Sequence, residues 1–292
     1  MSLLTLTTIQ TNLHWENKTA NLQMLEEKIN SIREKTEIVV LPEMFSTGFS
    51  MKPEELAETM EGETVQWMKR VAAEKKIILT GSLIIKEESK KNSGQTETLR
   101  PEYYNRLIWM LPNGQFGIYD KRHRFAFAGE DNHYTAGTKR LIASVKGWKI
   151  NLQVCYDLRF PVWARQNFSP NPSPKAEKGV KGEAEYDVLI YVANWPERRS
   201  NAWKTLLQAR AIENQCYVVG VNRVGNDGNK IYHSGDSMII DPMGEVLYTK
   251  RDEEDIFSIA LDKTHLDSTR EKLPFLKDAD GFIILKDEEI DL

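Results

Sequence analysis

Only two cysteines occur in this 292-residue chain, and one sits where an apolar stretch runs out, in Val154-Cys155-Tyr156-Asp157-Leu158-Arg159-Phe160-Pro161. A thiol has an ordinary pKa of ~8.5 and is mostly protonated at neutral pH, so it becomes a nucleophile only beside a base or a positive charge. Two other segments supply both. Glu43 closes Val39-Val40-Leu41-Pro42-Glu43, and Lys121 follows the stretch 115–120. The carboxylate could accept the thiol proton. The ammonium could favour the thiolate and then stabilise the negative oxygen formed when sulfur attacks a carbonyl. Backbone N–H groups in the turn after Cys155 would add donors. Acyl transfer onto sulfur is the chemistry that these parts suit. Singly they say little, because a glutamate after a strand is usually a surface charge and a cysteine near a core strand is usually apolar filler.

The elements around them decide whether the three can meet. Residues 3–11 alternate polar and apolar, as a strand does. Residues 17–35 carry Leu22, Leu25, Ile29 and Ile32, the stripe of a helix packed on a sheet. A short apolar strand is expected over 37–42. A second helix follows over 64–75, with Val65, Met68 and Val71 or Ala72 inward, then a strand over 76–85 broken by Gly81. This alternation of strand and helix argues for an α/β sheet. Three hairpins are then expected, around Pro112-Asn113-Gly114, Lys146-Gly147-Trp148 and Asp241-Pro242-Met243-Gly244-Glu245. Strands over 186–193 and 216–222 flank a helix over 201–214. Crossovers and hairpins interleave along the whole chain, so one α/β domain is expected over 1–292, with two mixed sheets facing one another and helices outside. Its core spans about 3–262, with a lengthened Pro-, Lys-, Glu- and Gly-rich loop at 168–185 and a C-terminal extension at 263–292. Glu43, Lys121 and Cys155 each then stand at the C-terminal end of a strand, where α/β sheets usually build their sites.

Composition narrows the function. Lys and Arg total 39 against 43 Asp and Glu, a net charge of -4, which gives no basic footprint for nucleic acid. No apolar run approaches the ~18 residues of a membrane span. The N-terminus lacks the basic and apolar segments of an export signal, and two cysteines in an unexported chain read as free thiols, so the cytoplasm is expected. No metal or cofactor is expected either. Five histidines are scattered, without a His-Glu-x-x-His pattern, and no Gly-rich phosphate motif follows a first strand.

Leu41-Pro42-Glu43, Tyr119-Asp120-Lys121-Arg122-His123 and the segment from Val154 to Pro161 resemble, in order and spacing, the three signatures of the nitrilase, or carbon–nitrogen hydrolase, superfamily. The likeness extends through Ala193-Asn194-Trp195-Pro196, residues 207–214 and 233–246, and is nearest to the omega-amidase branch. It implies a four-layer α-β-β-α sandwich and a homodimer. It also implies a base role for Glu43, a lysine role for Lys121 and a nucleophile role for Cys155. Family members carry a second glutamate past the lysine motif, and Glu130 resembles it, with the neighbouring Asp131 as the alternative. Omega-amidases hydrolyse the terminal amide of 2-oxo dicarboxylic acid monoamides, so a small-molecule amide is the implied substrate. By position, Arg159 and Arg198 are candidates for its carboxylate. Phe45, Phe125, Phe127, Tyr156 and Trp195, with Met44 and Phe49, are candidates for the pocket wall.

Other readings compete. His123 could orient the thiol in a Cys–His hydrolase. The same Glu-Lys-Cys site could serve an N-carbamoyl compound, a nitrile or another aliphatic amide. A non-catalytic scaffold with this fold would have no reason to bear the desolvation of three grouped polar side chains.

Overall fold

The structure is a computed structural model and describes residues 3–93, 96–166, 184–282 and 284. The chain begins β1 (Leu3–Gln10), α1 (Lys18–Asn30), β2 (Ile38–Val40), α2 (Pro53–Leu56), α3 (Glu63–Lys75), β3 (Ile78–Ser93), β4 (Thr96–Met110) and β5 (Phe116–Asp120). It continues through α4 (Glu130–His133), β6 (Leu141–Val145), β7 (Trp148–Val154), α5 (Pro161–Ala164), β8 (Val188–Ala193), α6 (Ser200–Asn214) and β9 (Tyr217–Asn222). Then come β10 (Val224–Asn226), β11 (Tyr232–Ile240), β12 (Val246–Arg251), β13 (Asp255–Asp262) and α7 (Lys263–Lys272).

Among the described residues, six strands form one sheet in the order β13-β1-β2-β3-β4-β5. Seven form the other in the order β10-β11-β9-β8-β7-β6, with β12 paired to β11. Both sheets are mixed. The runs β1-β2-β3 and β7-β8-β9 are parallel, and the hairpins on either side are antiparallel.

Period-2 alternation assigns the two faces of the first sheet. Ile38, Val40, Leu107 and Trp109 belong to the main core with strands of the second sheet. Their neighbours Val39, Leu41, Ile108 and Met110 pack outward against α1 and α3 through Leu22, Leu25, Ile29, Met68 and Val71. On the other side β8 is buried along its whole length, and α6 covers the second sheet with Trp203, Leu207 and Ala211. The expected four-layer α-β-β-α sandwich is present.

Several boundaries move for identifiable reasons. Helix α1 starts at its cap, Asn17, whose side chain accepts the Ala20 N–H at 3.1 Å, and stops at Asn30 rather than 35. There Ser31 Oγ donates to the Lys28 carbonyl at 2.7 Å, a local bond that competes with continued helix. Gly81 does not break β3. A Cβ there would lie 2.7 Å from Phe45 and 2.9 Å from Leu41, so the glycine lets the strand pass under the Glu43 turn. The β3–β4 ladder runs from Leu79 opposite Met110 to Ser93 opposite Thr96, far beyond the expected ends. Strand β13, paired along its length with β1, carried no expectation. Leu266 of α7 is buried in the main core, inside the expected extension. All but the last two residues of the expected 168–185 loop lie outside the described residues, as do Ile283 and Leu285.

Gly137 ties the fold to Lys121. Its N–H donates to the Lys121 carbonyl at 3.0 Å, and a Cβ on it would stand 2.0 Å from the Asp120 carbonyl oxygen. Gly137→Ala should therefore destabilise the protein by about 1–3 kcal/mol, the usual range for overpacking. Urea unfolding checks this, and an unchanged midpoint would show that residues 134–138 move freely of Lys121.

Candidate active site

Glu43, Lys121 and Cys155 come together, and each is placed by the end of a strand. Pro42 cannot donate to a ladder, so β2 ends and the chain turns, with Met44 at φ 43°. The turn is pinned by Met44 N donating to Ser82 Oγ at 2.9 Å and by Asn194 Nδ2 donating to the Glu43 carbonyl at 2.6 Å. Lys121 leaves β5 while its N–H still bonds the Asn105 carbonyl at 3.0 Å. Its ammonium then donates to Glu43 Oε1 at 2.9 Å and to both oxygens of Glu130, at 3.0 and 2.9 Å. Asn105 Nδ2 bridges the same two carboxylates, at 2.8 Å to Glu43 and 3.3 Å to Glu130, while the Asn194 N–H reaches Glu43 Oε2 at 2.8 Å. Glu130 also accepts the Phe125 N–H. Of the two acidic candidates after the lysine motif, Glu130 is fully buried on the ammonium and Asp131 is exposed.

Cys155 follows β7 at φ 44°, a left-handed conformation that costs a non-glycine residue about 1–3 kcal/mol unless its surroundings enforce it. Asp157 enforces it. Its buried carboxylate accepts the Val154 N–H at 3.0 Å, the Tyr119 hydroxyl at 2.7 Å, and the His123 N–H and Nδ1 at 2.9 and 2.8 Å. His123 is thus engaged behind the elbow, its ring stacked on Phe160 at 3.8 Å, and is not placed as a base for the thiol.

Burial first, and then the nearby Glu43 and Glu130 carboxylates, push the Cys155 thiol pKa well above the ordinary thiol range. Lys121 opposes the shift without reversing it. The resting sulfur is therefore a neutral thiol, contrary to the expectation that the ammonium would favour the thiolate. Burial alone would lower the Lys121 pKa, but Glu130 and Glu43 hold it above the usual ammonium range. Glu130 is raised, by burial first and by Glu43, against the pull of Lys121.

Cys155 opens onto a cavity of about 280 Å³. Of the expected wall residues, Phe49, Phe125, Phe127, Tyr156, Arg159, Trp195 and Arg198 line it, and the buried Met44 is not part of its wall. Phe45 does not. It points the other way, fully buried in the outer core with its ring 6.0 Å from that of Trp67, because the turn that passes through Met44 directs it toward α3.

Asn194, Arg199 and His233 line the cavity without having been expected. Asn194 stands at the end of β8, so the strand-end argument could have found it. Arg199 follows Arg198 in a single tight turn and both line the cavity, which sequence does not reveal because consecutive residues of such a turn usually face different ways. The Arg159 guanidinium lies 5.1 Å from the Trp195 ring centre and that of Arg199 lies 5.0 Å from Phe125. Among the described residues none of Arg159, Arg198 and Arg199 has a carboxylate at ion-pair distance, and the Arg199 pKa is lowered by burial and by the other two. His233 is held neutral, its pKa lowered to about 4 by burial and by Arg223. No group of three or more His, Cys, Asp or Glu among the described residues could hold a metal ion, and no helix among them is long and apolar enough to cross a membrane.

A buried Glu-Lys-Glu set against a cysteine elbow, carried between the sheets of an α-β-β-α sandwich, defines a carbon–nitrogen hydrolase. The carbon-nitrogen hydrolase family pattern matches residues 5–271, and the chain belongs to that family. It is similar to the omega-amidase YafV of Yersinia enterocolitica, with 37% identity over 98% of this chain and 100% of the relative. It is also similar to the 2-oxoglutaramate amidase of Bacillus subtilis, with 30% identity over 94% of this chain and 96% of the relative. Among solved structures, the CN-hydrolase superfamily protein XC1258 of Xanthomonas campestris, which carries an arsenic adduct in its active site, superposes with a TM-score of 0.86. Its identity is 37%, over 97% of this chain and 100% of that one. The chain is a hydrolase of small amides in the omega-amidase branch.

The neutral resting thiol has a measurable consequence. A raised pKa means that the proton is held to higher pH, so alkylation of Cys155 by iodoacetamide should still be accelerating above pH 9, where a free thiol levels off. Mass spectrometry of the labelled Cys155 peptide from about pH 6 to about pH 10, a range that spans the ~8.5 of a free thiol, checks this. A plateau reached by neutral pH would show a resting thiolate.

Proposed function

We propose that this enzyme hydrolyses the terminal amide of a small 2-oxo dicarboxylic acid monoamide, of the 2-oxoglutaramate or 2-oxosuccinamate type, to the dicarboxylic acid and ammonia through a thioester on Cys155. One observation carries the reading: the pocket runs from Cys155, backed by the buried Glu43, Lys121 and Glu130, to three more exposed guanidinium groups that have no carboxylate at ion-pair distance among the described residues. A ligand with a neutral amide at one end and a carboxylate at the other matches that polarity in a single orientation. The names of the omega-amidase and 2-oxoglutaramate amidase relatives support the same substrate class.

The roles follow from the contacts. Glu43 takes the thiol proton as sulfur attacks the amide carbon. The Lys121 ammonium, fixed by its two carboxylates, and a backbone N–H near Tyr156 stabilise the oxyanion. Glu43 then gives its proton to the departing nitrogen, and ammonia leaves. Water attacks the thioester, again deprotonated by Glu43, which returns the proton to sulfur as the acid is released. Glu130 holds Lys121 and polarises the leaving group or water. Arg159, Arg198 and Arg199 anchor the carboxylate, while Tyr156, Trp195 and Phe127 close the wall beside it. The chain acts without a cofactor, as a cytoplasmic homodimer. A hydrolase of N-carbamoyl compounds, nitriles or other aliphatic amides would use the same buried set, but the unpaired guanidiniums favour an anionic ligand.

Acid quenching during a single turnover of 2-oxoglutaramate should trap protein heavier by one acyl group, seen by intact mass, and Cys155→Ala should fold and form none. Persistent absence of the adduct in an active preparation would end the thioester scheme. Lys121→Ala should lower kcat by ~10²–10³, as loss of one oxyanion donor usually does. Near-normal turnover would remove Lys121 from the mechanism.

A further inference from the structure

The buried groups behind Cys155 carry more negative than positive formal charge. Glu43 and Glu130 are both fully buried, and one ammonium serves the two, at 2.9 Å from each. Asn105 and Asn194, which complete the contacts of Glu43, are neutral. Two carboxylates and one ammonium leave a formal surplus of one negative charge beside the sulfur. The titratable and charged groups that act there are Glu43 after β2, Lys121 after β5, Glu130 on α4 with Tyr134 after it, Cys155 itself, and Arg199 ahead of α6. Glu54 of α2 acts on Tyr134 from further out. The positive groups other than Lys121 are the more exposed guanidiniums, so the pocket is negative within and positive without.

We infer that Glu130, through this surplus charge, determines specificity by excluding carboxylates from the nucleophile. The site admits a neutral amide to Cys155 and rejects the dicarboxylate that the reaction produces. The inference rests on the substrate reading above, in which product and substrate differ only at that end. Collapse of the final tetrahedral adduct breaks the carbon–sulfur bond, Glu43 returns its proton to sulfur, and the product is born as a neutral carboxylic acid. Loss of that proton to solvent makes it an anion facing two carboxylates and drives it out. Release then needs no moving lid, and the dicarboxylate is a poor inhibitor of its own formation.

The direction of the Glu130 shift agrees. A raised carboxyl protonates at higher pH than usual, so the buried set neutralises on mild acidification and its rejection of anions should weaken there.

The test uses Cys155→Ala, which lacks the nucleophile, with 2-oxoglutaramate and 2-oxoglutarate as probes in calorimetry at about pH 7.5, roughly three units above ordinary carboxyl pKa values. The monoamide should bind on the order of tenfold to a hundredfold more tightly, the range expected for like charges about 5 Å apart in a partly screened site. Adding Glu130→Gln should tighten the dicarboxylate alone and shrink the gap to about threefold, whereas Glu130→Asp, which keeps the charge, should preserve it. Should Glu130→Gln not fold, product inhibition of the wild-type enzyme reads the same quantity, with a Ki for 2-oxoglutarate far above the KM for the monoamide. Equal affinity for amide and acid, or a gap that survives Glu130→Gln, overturns the inference while leaving the substrate reading intact. Failure of the monoamide to bind overturns the substrate reading, and the inference with it.

Discussion

The ammonium of Lys121, held between the carboxylates of Glu43 and Glu130 with almost no access to water, is the interaction on which the rest of the site depends. Desolvating three charged groups costs several kcal/mol per ion, and such a set survives only when nearly every donor and lone pair is used. Here they are used. Asn105 bridges both acids, and backbone N–H groups from Asn194 and Phe125 fill further positions. Removal of one member from a buried set of this kind typically costs about 3–5 kcal/mol, because the remaining charges are left uncompensated. The same burial makes each member a strong influence on the sulfur, since little water lies between to screen it.

No single sheet builds this arrangement. Glu43 and Lys121 leave the first sheet, while Cys155 and Asn194 leave the second, so the distance between base and nucleophile is set by how the two inner faces pack. Direct cross-links fix that distance at the site. Asn194 bonds Glu43 through both backbone and side chain, and the Tyr119 hydroxyl reaches across to Asp157 at 2.7 Å. Asp157 in turn holds the turn that gives Cys155 its positive φ. The inter-sheet core and the catalytic geometry are therefore one mechanical unit, and a change such as overpacking between Leu107 and Val154 would be transmitted to the sulfur.

Much of this was legible before the structure. Strong alternation and short apolar runs placed β1, β2, β7 and β8, and an unusual residue at three strand ends pointed to Glu43, Lys121 and Cys155. Glu130 was legible only through the family resemblance, because a glutamate in a short polar turn carries no periodic signal. The outer half of the β3–β4 ribbon escaped because a two-stranded ladder is held by its backbone and asks nothing apolar of residues such as Glu87 and Glu88. Strand β13 escaped for a related reason: its acidic start hides the alternation that follows. Phe45 was misread because proximity to a motif in sequence does not fix direction, and the turn through Met44 directs it toward α3. Asn105 is the most instructive omission. A polar side chain within an apolar strand is expensive unless it is bonded, and that cost itself marked the position.

The neutral thiol changes how the nucleophile must work. A thiolate waiting beside two carboxylates would be repelled by both, and Lys121 already shares its charge between them, so little is left for sulfur. On the proposed mechanism, proton transfer to Glu43 is favourable only once negative charge moves from sulfur onto the carbonyl oxygen, where Lys121 would meet it. Attack and deprotonation are thereby coupled, and the electrostatics favour the tetrahedral state over any resting ion pair. A protonated thiol is also a weak nucleophile toward electrophiles that generate no oxyanion at that position. On that mechanism, the carboxylates that suppress the thiolate of Cys155 confine its reactivity to ligands whose carbonyl oxygen reaches the ammonium.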